Sequence, residues 1–132
     1  MSYNISYSTL PTLTINSIGY SSTGNSISIL NNTWAHGNVT LPVGVWLCTM
    51  SAYSNGALGT DQGNQISIGL LPDTFNTDYR SYGVGNMSMG VGVCCSLTAV
   101  FTLTASTVIY FNVLSGPSPS GQGCSYSYTR LA

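Results

Sequence analysis

The chain has 132 residues, enough for one domain whose single core buries roughly two-thirds of the surface that the unfolded chain exposes. Only 4% of the residues are charged, and the formal net charge is −1. With Arg80 and Arg130 as the sole Lys or Arg residues, the chain cannot neutralise a phosphate backbone or dock electrostatically on an anionic membrane, so neither nucleic acid nor a lipid surface is an expected partner.

The first ten residues, MSYNISYSTL, lack the basic and apolar blocks of a secretory signal, and no apolar run approaches the roughly 20 residues that span a bilayer. Neither export through a secretory membrane nor membrane insertion is expected. Helix periodicity is absent, and short segments of period two take its place. Ile27 and Ile29 alternate with serines and predict a half-buried strand. His36, between Ala35 and Gly37, is read as a loop residue. The segment 43–53 sets Val43, Val45, Leu47, Thr49 and Ser51 on one face, with Trp46, Cys48, Met50 and Ala52 on the other, and both faces are expected to be largely covered.

Asp61 falls in Gly59-Thr60-Asp61-Gln62-Gly63-Asn64, which reads as a turn. Ile66, Ile68 and Leu70 predict the next strand, and Met87, Met89 and Val91 another. Between them, residues 71–83 form the loop richest in recognition chemistry. Asp73, Phe75, Asp78, Tyr79, Arg80 and Tyr82 combine rings that stack with polar groups that orient, and they are the candidate ligand site; the competing reading is a solvated connection with an Asp78–Arg80 contact. Leu97, Ala99, Phe101 and Leu103 share a face, a small-residue turn follows, and Val108 to Leu114 returns, which predicts a hairpin. Residues 116–121, rich in Gly and Pro, read as a loop before a last strand over 125–131. The sum is about eight to ten short strands with no substantial helix, an all-β sandwich or barrel in a single domain over 1–132.

Catalytic chemistry finds little support. A triad would need His36 beside Asp61, Asp73 or Asp78 and a nucleophile, yet no nucleophile-elbow sequence occurs, and three scattered aspartates do not specify a paired-carboxylate site. The protein is read as not an enzyme, with no cofactor. Cys48, Cys94, Cys95 and Cys124 lack metal-ligand spacing, so no metal site is expected; small buried thiols are the favoured reading, with a Cys48–Cys124 bridge the alternative. Asn-x-Ser/Thr sequences begin at Asn4, Asn31, Asn38 and Asn86, a number that chance explains in a chain so rich in these residues.

Three segments, taken in order, resemble the C1q/tumour-necrosis-factor-like jelly roll of secreted proteins and of viral fibre heads and vertex proteins. They are Asn38-Val39-Thr40-Leu41-Pro42-Val43-Gly44-Val45-Trp46-Leu47, then Ser96-Leu97-Thr98 through Thr107-Val108-Ile109-Tyr110-Phe111, and finally Tyr126-Ser127-Tyr128-Thr129-Arg130-Leu131-Ala132. The resemblance implies an antiparallel jelly-roll β-sandwich that forms a homotrimer. Tyr110, Tyr126 and Tyr128 are the candidate trimer interface, and intrachain packing is the other reading of the same tyrosines. The low charge turns the implied role toward a viral structural protein, a minor capsid, vertex or fibre-head module on the virion. Such a module would be assembled in the host cytoplasm, contact other capsid or fibre proteins, and serve attachment to a host glycan or protein receptor. The alternative is a stand-alone carbohydrate-binding β-sandwich.

Overall fold

A computed structural model describes residues 21–28, 33–55, 61–74, 79–86, 93–115 and 120–132. The alternating pattern becomes eight described strands: β1 (Ser21–Ile27), β2 (Trp34–Leu41), β3 (Gly44–Asn55), β4 (Asp61–Gly69), β5 (Arg80–Asn86), β6 (Val93–Leu103), β7 (Thr107–Ser115) and β8 (Ser120–Arg130). They form two four-stranded antiparallel sheets, sheet I in the order β1-β8-β3-β6 and sheet II in the order β2-β7-β4-β5. Among the described residues there is no helix, and the fold is an all-β sandwich.

Side-chain alternation decides what lies between the sheets. From sheet I, β3 sends Trp46, Cys48, Met50 and Ala52 inward, and all four are buried. From sheet II, β4 contributes Ile66 and Ile68 and β7 contributes Ile109, Phe111 and Val113, each fully buried. Burial of an aliphatic or aromatic side chain of this size stabilises the fold by roughly 1.5–3 kcal/mol, so this inward set holds the sheets together. Gly37 of β2 leaves the space that the Tyr126 ring occupies; a Cβ there would lie 2.5 Å from Tyr126 Cε1. Tyr126 uses that space to stack on Phe111 at 4.2 Å between ring centroids.

Two of the segments that carry the family resemblance meet at one end of the sandwich. Val45 N–H donates to Ala132 O at 2.8 Å, and Leu131 N–H donates to Val45 O at 2.7 Å. Arg130 lies over the Trp46 ring at 5.9 Å and donates from Nη2 to Val43 O at 3.0 Å, while Trp46 Nε1 donates to Pro42 O. Gly44 has a φ of +146°, and a Cβ there would lie 2.6 Å from Ala132 O, so both conformation and space call for glycine.

Several expectations are corrected. The predicted hairpin over 97–114 does not form: β6 pairs with β3 in sheet I, whereas β7 pairs with β2 and β4 in sheet II. Residues 104–106 cross between the sheets, and Leu97, Ala99, Phe101 and Leu103 face the inward side chains of the opposite sheet. A hairpin and a crossover carry the same period of two, so alternation alone does not separate them. The turn expected around Asp61 begins β4 instead, with Asp61 opposite Asn86 of β5. The loop over 116–121 gives way to β8 by Ser120, and residues 116–119 lie outside the described set. His36 is in the middle of β2, not in a loop. Of the two faces of 43–53, only the Trp46 face is fully covered; Val43 and Tyr53 are about half exposed. The expected strand around Met87, Met89 and Val91 lies beyond the end of β5 and outside the described residues, as does Ile29.

Candidate functional site

On the outward side of sheet II, register places His36 of β2 opposite Asn112 of β7, and Asn112 opposite Ser67 of β4. An outward Asn and Ser would ordinarily meet water. Here both are fully buried, because the turn that follows β4, residues 70–74, folds back over them. Asn112 satisfies that turn with both ends of its amide: Oδ1 accepts from Asp73 N–H at 2.9 Å, and Nδ2 donates to Leu71 O at 3.0 Å. Ser67 Oγ donates to Thr74 O at 2.6 Å and Thr74 Oγ1 donates to Leu71 O, so Leu71, Asp73 and Thr74 are each tied to the sheet or to one another.

Asp73 adopts φ 51°, in the left-handed region that Asp tolerates better than most side chains. That conformation brings its Oδ1 to 2.8 Å from His36 Nδ1, and since an ionised carboxylate only accepts, the hydrogen belongs to the ring nitrogen. The His36 ring stands edge-on to Tyr110 at 5.4 Å. The cross-links hold the turn in one shape, and Leu70 and Leu71 project from it, 57% and 64% exposed.

This arrangement suits presentation of side chains more than chemistry. His36 and Asp73 supply two members of a triad, but the Ser67 hydroxyl proton is committed to Thr74 O and not to the imidazole. Among the described residues no group of three His, Cys, Asp or Glu side chains converges to hold a metal ion. The four cysteines are free, with Cys48, Cys95 and Cys124 buried and Cys94 exposed. Burial pushes the Cys48 thiol up to about 12; burial first and the nearby Cys95 second do the same to Cys124. Buried thiols of this kind are packing residues, not nucleophiles.

The six residues of the sequence-predicted ligand loop do not act as one unit. Asp73 turns to sheet II and His36. Tyr79 goes elsewhere: its ring lies 5.1 Å from Phe101 of β6 and its hydroxyl donates to Val100 O, closing the core edge. Arg80 and Tyr82 belong to β5, opposite Ser67 and Gln65, and Phe75 and Asp78 lie outside the described residues. The three candidate interface tyrosines also divide. Tyr110 lies outward on sheet II beside His36, while Tyr126 and Tyr128 turn inward from sheet I, Tyr126 on Phe111 and Tyr128 edge-on to Trp46. Sequence reasoning missed Ser67 and Asn112, and it weighed His36 beside Asp73 only as part of a triad while reading it as a loop residue. The one available signal was Asn112 itself, a polar residue in the strongly apolar run 108–114.

Compared with models of protein families, with curated proteins and with solved structures, the chain matches none. No helix among the described residues is long and apolar enough to cross a membrane.

Proposed function

We propose that the chain is a jelly-roll module with an assembling role: a homotrimeric structural protein of a virus-like particle, at a minor capsid, vertex or fibre-head position, that also serves attachment to a host. The strand pairing supports the jelly roll. β1 pairs with β8, β2 with β7, β3 with β6 and β4 with β5, the nested set of one long hairpin, and the additional β3–β8 and β4–β7 pairs are those made when such a hairpin wraps into two sheets. The close approach of Gly44 and Trp46 to Arg130 and Ala132 gives a physical reason for two of the motifs on which the family resemblance rests.

The observation that carries the assembling role is the anchored turn. Leu70 and Leu71 stand exposed on a turn that a fully buried Asn112 and the His36–Asp73 pair hold in place. Apolar side chains presented without conformational freedom lose little entropy on docking, and a surface with so few charges has little to desolvate. A closed three-fold assembly buries such contacts on every subunit.

The test is gel filtration of the chain beside a variant carrying Leu70→Asp and Leu71→Asp. The expected result is an oligomer for the unaltered chain and a single-chain species for the variant, with the same β-sheet circular dichroism. An unaltered chain that elutes as a monomer at every concentration overturns the assembling role.

A further inference from the structure

The outward side of sheet I carries a different feature. Two parallel rows of hydroxyls cross three strands: Ser127, Thr49 and Thr98 in one row, Ser125, Ser51 and Ser96 in the next, each row running from β8 through β3 to β6. These six side chains line a shallow recess of about 330 Å³ whose floor is the strand row of Tyr126, Met50 and Leu97. The recess exists because larger side chains flank the small ones along β3. Tyr53, 47% exposed, lies over Gly123 beyond the serine row, while Val100, 46% exposed and opposite Leu47, follows beyond the Thr49 row. The result is a trough of small side chains that runs across the strands, with Tyr53 and Val100 next to it along the strands on either side.

We propose that this trough is a binding site for a neutral saccharide. A strand spacing of about 4.8 Å and a step of about 6.8 Å between alternate residues set the hydroxyls in a grid on the scale of sugar ring substituents. Each Ser or Thr hydroxyl both donates and accepts, as each sugar hydroxyl does, so the two inventories complement one another without any charge. Part of the grid is already oriented: Thr49 Oγ1 and Ser127 Oγ share a hydrogen bond of 2.6 Å, and Ser51 Oγ and Ser125 Oγ one of 3.0 Å. The hydroxyls of Ser96 and Thr98 of β6 make no side-chain hydrogen bond among the described residues and complete the grid opposite these pairs. Among the described residues no charged side chain lines the trough, which disfavours sialylated or sulfated sugars, whose charge would be desolvated without a partner. Tyr53 supplies the face on which a pyranose ring stacks.

This inference deepens the attachment part of the proposed function and is independent of the trimer. Isothermal titration of the full chain with maltohexaose, cellohexaose, chitohexaose and mannohexaose, and with a sulfated heparin hexasaccharide as the charged control, tests it. At least one neutral oligosaccharide is expected to bind, with the heparin fragment inert. A variant carrying Ser96→Ala and Thr98→Val, which changes exposed hydroxyls only, is expected to bind about tenfold more weakly or worse, as is Tyr53→Ala. The Leu70→Asp, Leu71→Asp variant is expected to bind as the unaltered chain does, which separates this site from the assembly contact. The proposal is overturned if no neutral oligosaccharide binds more tightly than about 10 mM. It is also overturned if binding survives both trough variants, or if those variants change the oligomer mass in place of sugar affinity.

Discussion

The two sheets turn opposite kinds of surface outward. Around its centre sheet I is not covered by any described segment: Thr49, Ser51, Ser96 and Thr98 sit in register, and strand alternation with side-chain size shapes the surface. Sheet II is roofed at Ser67 and Asn112 by the 70–74 turn, which two fully buried polar side chains fasten to the strands. Both surfaces are rigid, for different reasons. On sheet I rigidity comes from the backbone ladder, so a single side chain can change without disturbing its neighbours. On sheet II it comes from a few directed hydrogen bonds, so the loss of one amide releases a whole turn.

The largest effect lies beneath both surfaces and is shared by them. Phe111→Ala removes the ring that Tyr126 of sheet I stacks on, from a fully buried position in β7 of sheet II. The expected cost is about 3–5 kcal/mol in urea unfolding, and a cost under about 1 kcal/mol would show that the sheets are not held by this stack.

A smaller effect separates the outward faces. Asn112→Ala leaves Asp73 N–H and Leu71 O without their side-chain partner and is expected to cost about 1–3 kcal/mol, with faster hydrogen exchange at the Asp73 amide. Ser51→Ala, on the outward face of sheet I, is expected to stay within about 0.5 kcal/mol of the unaltered chain. Equal costs for the two substitutions would erase the distinction.

The last effect is read only at alkaline pH. Cys48 and Cys124 are raised from 9.0 to about 12 by burial, so the folded chain holds their protons where the unfolded chain has released them. Their contribution is therefore complete below pH 9.0 and is lost as pH rises toward about 12. The urea midpoint is expected to fall across that window, and to fall less in a chain carrying Cys48→Ala and Cys124→Ala. A midpoint that rises in the same window contradicts the assignment. At neutral pH a thiol reagent is expected to label exposed Cys94 in the folded chain and the other three cysteines only on unfolding.

Much of the inner architecture was legible in the sequence because burial between two sheets imposes a period of two. Trp46, Cys48, Met50 and Ala52 were correctly separated from Val45 and Leu47, and Leu97 from Thr98. What alternation does not encode is which strand lies beside which. β6 and β7 read as a hairpin although they belong to different sheets, since the short link between Leu103 and Thr107 serves a turn or a crossing equally well. The anchored turn was illegible for a related reason. His36 and Asp73 are 37 positions apart and meet only because β2 and β4 both flank β7, and Asp73 takes a left-handed conformation that no neighbouring glycine signals. The hydroxyl trough was equally hidden. Each serine or threonine is unremarkable in its own strand, and the rows exist only after β8, β3 and β6 come into register.

Static and dynamic light scattering of the unaltered chain, over a range of concentrations, tests the assembling role most directly. For a chain of 13.9 kDa a species of three times that mass is expected, persisting on dilution, with a compact radius. A species that remains at 13.9 kDa throughout would contradict it.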